Sequence, residues 1–319
     1  MSTYLELKGG NVKRVDSDPA NPEIGQVWYN DTTNQIKVRT TAVAAWASGG
    51  ALNLARRGQG SAGTQTAGLA FGGTPPPNGN NVSEEYDGSS WTEGNNLNTG
   101  KTTTAGAGTQ TAGLGFGGET SGSNTKTTEE YNGTSWSEQN DMSTARQALA
   151  GTGTQTAAIA IGGYTNTRVA NTEEYGGTSW TAGGALPVAK SVLSAAGTLT
   201  AGLAIGGNSY LATTEHYDGS SWTAGGNLNT GRVNMGAAGL QTAAVTFGGF
   251  TGGNTGATEL YDGTSWSNSA SLATARRQIG GNGVLASALA HGGYSAAGDS
   301  ALTEEFTNTV VSSTKLDVS

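Results

Sequence analysis

The sequence predicts an all-β protein of the β-propeller class, and three repeated features predict it. Tryptophan recurs along the chain at steps of 45, 45, 44, 42 and 44 residues. In each repeat a pair of glycines closes a short run of small and β-favouring residues, and an aromatic residue follows further on. A period of about forty residues with strand-like content describes a unit that must pack against neighbouring copies to bury its apolar faces. The tryptophans, which we interpret as structural anchors of the blades, are Trp46, Trp91, Trp136, Trp180, Trp222 and Trp266.

Each repeat predicts four short strands joined by tight turns. The paired glycines favour a positive-φ turn or a close approach of backbones. The tyrosine of each complete repeat stands five residues before the tryptophan, and the intervening DGSS, NGTS or DGTS is a hairpin-turn signal because Asp, Asn and Gly accept left-handed backbone. The glycine pairs begin at Gly72, Gly117, Gly162, Gly206, Gly248 and Gly292, and the aromatic residues are Tyr86, Tyr131, Tyr175, Tyr217, Tyr261 and Phe306.

The two ends of the chain each carry half a repeat. Trp46 has no glycine pair before it, and Phe306 is followed by no tryptophan. We therefore expect residues 44–54 to supply the outer strand of the blade formed by residues 282–308, which closes a six-bladed propeller and removes free sheet edges. The alternative is seven blades, the seventh built from a hairpin of residues 26–30 and 35–40 with residues 310–318. The predicted domains are an N-terminal attachment segment with a small hairpin (1–43) and the propeller (44–319).

The amino-acid composition limits the kinds of molecule that we expect the protein to bind. Glycine accounts for 53 of 319 residues, yet the aromatic spacing argues against disorder. Charged residues make up 13% of the chain and the net charge is −8, so we expect binding neither to nucleic acid nor to an anionic membrane. No stretch approaches the ~20 apolar residues of a membrane span, so we expect no membrane insertion. Cysteine is absent, which excludes disulfides, thiolate metal sites and thiol nucleophiles. No cofactor and no metal are expected.

A charge pattern follows the same period. A cation lies ten residues after each tryptophan, and a glutamate lies seven residues before the tryptophan or at the matching place. We predict that these residues form structural charge pairs, since a functional site usually breaks internal symmetry while a scaffold preserves it. A ring of carboxylates for a cation, or a basic ring for a glycan, is the alternative. The residues are Glu84, Glu129, Glu173, Glu215, Glu259 and Glu304, with Arg56, Lys101, Arg146, Lys190, Arg232 and Arg276.

Catalytic residues are not predicted. Adjacent glutamates such as Glu84 and Glu85 point to opposite faces of a strand and cannot flank one glycosidic bond. The chain has two histidines, His216 and His291, and no cysteine, so a copper-oxidase site built from Cys, Tyr and His ligands is excluded. A lone histidine such as His291, placed where other repeats carry Phe or Ile, is expected in the core or the channel.

The pattern of paired glycines, Tyr, Trp and a cation resembles the kelch repeat. The segments GTQTAGLAFGG, EEYDGSSW, NLNTGK and PEIGQVWYNDTTNQIKV are similar to kelch-like structural proteins of tailed bacteriophages, notably marine ones. This resemblance implies a virion component, assembled in the bacterial cytoplasm and exposed on the particle as a tail or fibre protein. It also implies that the N-terminal segment contacts other virion proteins.

The variable loops between the glycine pair and the EEY strand are the predicted binding surface, because binding function usually lies in variable loops on a fixed scaffold. Four of these loops carry an aromatic residue that could stack on a sugar or anchor a protein. One hypothesis is binding to a host-surface glycan or receptor, and the other is a purely architectural head or tail subunit; covering the rim of a blade is the structural alternative for the aromatics. The candidate binding residues are Tyr164, Tyr210, Phe250 and Tyr294.

Overall fold

A computed structural model describes residues 12–17, 26–39, 44–74, 80–308 and 313–315. Within these ranges the chain forms β-strands and no helix. It divides into two compact units. One unit is Ala45–Thr307, and the other combines Met1–Ala44 with Asn308–Ser319. The predicted all-β fold is confirmed.

Six four-stranded antiparallel sheets make up the unit Ala45–Thr307, and we number them along the chain. Sheet 1 contains Gly60–Gly63, Gly68–Phe71, Ser83–Tyr86 and Trp91–Glu93. Sheet 2 contains Ala105–Thr109, Ala112–Phe116, Thr128–Tyr131 and Trp136–Gln139. Sheet 3 contains Ala150–Thr154, Ala157–Ile161, Thr172–Tyr175 and Trp180–Ala182. Sheet 4 contains Ser194–Thr198, Ala201–Ile205, Thr214–Tyr217 and Trp222–Ala224. Sheet 5 contains Gly236–Leu240, Ala243–Phe247, Thr258–Tyr261 and Trp266–Ser269. Sheet 6 contains Gly280–Val284, Ser287–His291, Thr303–Thr307 and Ala45–Ser48. Two short hairpins, Glu119–Thr120 with Ser123–Asn124 and Tyr294–Ser295 with Gly298–Asp299, lie between second and third strands.

The apolar core lies along the second strands. Their last four residues are buried in every sheet, because both faces of the strand are covered by neighbours. The glycine pair that follows turns with positive φ, 67° at Gly72 and 91° at Gly73. A Cβ on Gly72 would lie 2.6 Å from the carbonyl oxygen of Lys101, so this turn accommodates no side chain.

Sheet 6 joins residues from the two ends of the repeat region. Ala45–Ser48 pairs antiparallel with Thr303–Thr307, and Trp46 lies opposite Phe306. The first strand of each sheet contacts the first strand of the next, and the first strand of sheet 6 contacts that of sheet 1. At this last contact the Ser61 hydroxyl donates to the Gly281 carbonyl over 3.2 Å.

The other unit contains its own four-stranded sheet. The predicted hairpin is present as Val27–Asn30 and Gln35–Arg39, with Lys13–Val15 parallel to the former and Ser313–Lys315 antiparallel to the latter. Trp28 is buried in this unit.

The two units differ from the predicted domains at the C-terminal end, where Asn308–Ser319 is grouped with the N-terminal residues. The physical reason is edge occupancy. The free edge of Thr303–Thr307 is already paired with Ala45–Ser48, so the strand that follows pairs with Gln35–Arg39 instead. Most of the leader (residues 1–11 and 18–25), the three prolines within residues 75–79 and most of residues 310–318 lie outside the described part of the chain.

Candidate functional site

Six buried ion pairs join the cations and glutamates that recur in the sequence. Each cation lies on the connection that leads into a sheet, and its glutamate lies on the third strand of that sheet. The side chains of all six cations are fully buried. The pairs are Arg56–Glu84, Lys101–Glu129 (3.0 Å), Arg146–Glu173 (2.5 Å), Lys190–Glu215 (2.5 Å), Arg232–Glu259 (3.1 Å) and Arg276–Glu304 (2.8 Å).

The second oxygen of most of these carboxylates accepts a backbone hydrogen bond. Glu129 accepts from the amide of Asn98 over 2.7 Å, and Glu173 accepts from the amide of Ser143 over 2.6 Å. Burial lowers the pKa of Lys101 below its ordinary value, and the facing Glu129 offsets only part of this shift. A carboxylate held between a buried cation and a backbone amide has little capacity left for a ligand. The six predicted charge pairs are present, and their structural role stays a prediction.

The six tryptophans connect neighbouring sheets. Each indole nitrogen donates to a threonine or serine hydroxyl at the start of the third strand in the preceding sheet. The set runs from sheet to sheet and includes the pair of sheets 1 and 6. The bonds are Trp46 to Thr258 (3.0 Å), Trp91 to Thr303 (2.9 Å), Trp136 to Ser83 (3.5 Å), Trp180 to Thr128 (2.9 Å), Trp222 to Thr172 (3.0 Å) and Trp266 to Thr214 (3.1 Å).

A second connection between sheets uses the tyrosines, and sequence reasoning did not find it. The hydroxyl of Tyr131 in sheet 2 donates to Glu85 in sheet 1 over 2.5 Å, and that of Tyr175 donates to Glu130 over 2.9 Å. Burial and the bond to Glu305 raise the pKa of Tyr86 to about 12. The same connection is made by Tyr217 with Glu174 and by Tyr261 with the ring of His216 (2.7 Å).

The signal for this connection was present in the sequence. At the equivalent positions of sheets 5 and 6 the residues are Leu260 and Phe306, so the acceptor and the hydroxyl are lost together. Correlated changes of this kind between adjacent repeats indicate a contact, but only after the offset of one repeat is known.

His291 is fully buried in sheet 6 and stacks beside Trp91, with ring centroids 5.1 Å apart. Burial, together with the charges of Arg56 and Arg276, lowers its pKa to about 3. The ring is therefore uncharged at neutral pH. The Nε2 atom of Gln59 lies 3.4 Å from Nδ1 of His291. This is the core position that the sequence predicts.

A carboxylate or amide oxygen of Asp87, Asn132, Asp218 or Asp262 fixes four of the hairpin turns before the tryptophans, and Gly176 stands at this position before Trp180. One carboxylate oxygen of Asp87 accepts from the amides of Ser89 (2.8 Å) and Ser90 (2.7 Å), and these bonds with the serine hydroxyls lower the pKa of Asp87 to about 2. Asp218 makes the same bonds to Ser220 and Ser221. The acidic residue thus acts in turn formation.

The four aromatic residues predicted to bind a ligand differ in exposure. Tyr164 and Tyr210 are 40% and 46% exposed, whereas Phe250 and Tyr294 are partly buried. Backbone bridges pair Tyr164 with Gln147, Phe250 with Val233 and Tyr294 with Arg277. The loops after the second strands and the connections between sheets therefore meet in one layer.

Three of the four aromatic residues lie together with two arginines, in what we call the aromatic–arginine row (Tyr210, Phe250, Arg277, Tyr294 and Arg57). The rings of Tyr210 and Phe250 are 6.1 Å apart. The Arg277 guanidinium carbon lies 4.7 Å from the Phe250 ring centroid and 5.0 Å from that of Tyr294. Arg57 lies 4.7 Å from the Tyr294 ring. The sequence analysis predicts the aromatic residues and not the arginines. Arg57 comes from the other end of the repeat region, whereas Arg277 lies on the connection that leads into the same sheet as Tyr294.

A polar cavity runs between the first strands. Small residues from all six of these strands line it, among them Ser61, Gly106, Thr152, Ala196 and Asn282. Both polar atoms of the Asn282 side chain are buried without a hydrogen-bond partner among the described residues.

Comparison of the sequence with protein-family models and with curated proteins returns no significant match. The described residues contain no helix that is long and apolar enough to cross a membrane.

Proposed function

We propose that the six sheets are the blades of a closed kelch-like β-propeller. The strand pairing of Trp46 with Phe306, the contact of the first strands of sheets 1 and 6, and the Trp91–Thr303 bond between the same two sheets support closure. A closed ring leaves each sheet covered by two neighbours, which accounts for the burial of the second strands.

We further propose that this propeller is a non-enzymatic structural protein of a phage virion, of tail or fibre type, whose loops bind a host-surface glycan or receptor. The observation that carries the proposal is a contrast within the repeat. The buried ion pairs and indole bonds repeat from sheet to sheet, whereas the loop layer gathers aromatic residues and arginines in one sector. Preserved contacts form a rigid support, and a cluster that breaks the symmetry is the natural place for recognition.

The test uses the full chain, labelled and incubated with cells of candidate bacterial hosts. We expect saturable binding that soluble host polysaccharide competes away, with no release of reducing sugar from that polysaccharide. If the binding is saturable and competed away but the polysaccharide is also depolymerised, the protein is a hydrolase. Absence of binding to cells, with the protein firmly incorporated into particles, would favour the architectural role in which the loops contact other virion proteins.

A further inference from the structure

The aromatic–arginine row contains one arginine that pairs with no acidic residue of the described part of the chain. Arg57 forms an ion pair with Asp299, Nη1 to Oδ1 at 2.6 Å. Arg277 has no carboxylate within salt-bridge distance among the described residues, and it is partly exposed. Acidic side chains outnumber basic ones in this chain, 24 to 16. A guanidinium that nevertheless pairs with none of the described carboxylates can bind the anionic group of a ligand.

The neighbouring rings fix the orientation of Arg277. A guanidinium that stacks on an aromatic face keeps its N–H edge free for hydrogen bonds, and the stack reduces the rotamer freedom lost on binding. Contacts with both Phe250 and Tyr294 therefore prepare Arg277 for bidentate recognition of a carboxylate.

The row occurs once in the repeat region. Phe250 and Tyr294 directly follow a glycine pair, and Arg57 and Arg277 directly follow a buried cation. Only the repeat of sheet 6 combines an aromatic residue after the glycine pair with an arginine after the cation, so the row is not required to form a sheet of this fold. The remaining residues after the glycine pairs are Thr74, Glu119, Tyr164 and Asn208, and those after the cations are Thr102, Gln147, Ser191 and Val233.

Tyr210 supplies the exposed aromatic surface of the row. It and Ser209 both have left-handed backbone, with φ of 57° and 60°, which is unfavourable for a bulky residue. The adjoining residues of the Phe250 loop, Thr251 to Asn254, are short and polar or glycine. An exposed ring beside short polar groups suits the alternating apolar and hydroxyl surfaces of a sugar.

We propose that the aromatic–arginine row binds an acidic saccharide, with one sugar ring on Tyr210 and a carboxylate of the saccharide on Arg277. This inference rests on the proposed glycan-binding function and names the class of glycan. An acidic peptide is less suited, because a stable protein contact buries about 800 Å² per partner around an apolar centre, and the row offers one well-exposed ring among polar residues.

The test uses the full chain on an array of galacturonate, glucuronate, mannuronate and sialic acid oligosaccharides. Each acidic probe is paired with its carboxyl-reduced form, and a poly-glutamate peptide is included. We expect binding to at least one acidic probe and at least tenfold weaker binding to its reduced form. Arg277→Gln and Tyr210→Ala should each weaken this binding at least tenfold. The matched control is Arg168→Gln, which changes an exposed arginine in the Tyr164 loop and should leave binding unchanged.

Near-ultraviolet circular dichroism of each variant verifies that it is folded. Equal binding to acidic and reduced probes, equal effects of the Arg277 and Arg168 variants, preference for poly-glutamate, or no binding to any acidic probe would each overturn the inference. If the wild type attaches to host cells through a glycan and Arg277→Gln attaches equally well, this inference is overturned while the proposed function stands. Loss of the proposed function itself is seen separately, as absence of cell binding by the wild type.

Discussion

At the scale of single residues, the buried ion pairs add little to the free energy of unfolding, but breaking one of them costs much of it. Removing two charges from water is unfavourable, and mutual attraction with good hydrogen bonds roughly offsets that cost. Removing one partner leaves an uncompensated charge in the interior. Arg146 and Glu173 illustrate this, since their side chains are 0% and 4% exposed.

We therefore expect Arg146→Met to lower the free energy of unfolding by about 3–5 kcal/mol. The measurement is urea-induced unfolding followed by tryptophan fluorescence. Lys126→Met is the matched control, because Lys126 pairs with Asp141 at 3.7 Å with both side chains substantially exposed. That variant should change stability by about 1 kcal/mol or less. Equal effects of the two substitutions would contradict the scaffold role of the buried pair.

His291 gives the protein an acid-sensitive point. Its folded pKa of about 3 lies below the ordinary value of 6.5, so the neutral ring stabilises the fold fully above pH 6.5. This contribution is lost as the pH falls through about 3. We expect His291→Phe, which matches Phe71, Phe116 and Phe247 in other sheets, to flatten the dependence of unfolding free energy on pH between 6.5 and 3. Unfolding curves at a series of pH values, normalised at pH 7 for packing differences, measure the effect; parallel profiles would refute it.

At the scale of elements, the third strands are linked from sheet to sheet through their tyrosines. Tyr131→Phe leaves the carboxylate of Glu85 without its donor, and we expect a loss of about 1.5–3 kcal/mol in unfolding free energy. The double change Tyr131→Phe with Glu85→Leu copies the natural combination of Phe306 and Leu260 and should recover most of that loss.

The exposed Tyr164 provides the control for this pair. Tyr164→Phe removes a hydroxyl from a side chain that is 40% exposed, and it should change stability by about 0.5 kcal/mol or less. If the Tyr131 and Tyr164 substitutions have the same effect in chemical unfolding, the link between sheets contributes nothing to stability.

At the scale of the whole molecule, the strand Ala45–Ser48 determines whether sheet 6 has a covered edge. We expect residues 45–307 alone to remain folded and monomeric, since they include this strand. Residues 55–307 should expose the edge of Thr303–Thr307 and associate or aggregate, because unpaired strand edges bind other strands. Size-exclusion chromatography with light scattering distinguishes the two. A monomeric, equally stable 55–307 fragment would argue against the closed propeller that we propose.

Repeated local signals account for what could be predicted. The glycine pair, the turn before Trp91 and the spacing from Arg56 to Glu84 each act within one repeat, so six copies of the same pattern predict six similar sheets and six ion pairs. The half repeats at the ends also indicated that Trp46 and Phe306 belong together. The loop aromatics Tyr210 and Phe250 were selected because the loops vary.

The sequence by itself determined the four-stranded repeat, its anchors and its buried charges, because each depends on residues at a fixed separation along the chain. Only the tertiary structure decided the bond from Tyr131 to Glu85, the pairing of Ser313–Lys315 with Gln35–Arg39, and the stacking of Arg57 on Tyr294. These contacts join segments that are brought together by the packing of neighbouring sheets or by the meeting of the chain ends. Distances in space identify these contacts, because a contact between repeats becomes visible in the sequence only after the offset between the repeats is known.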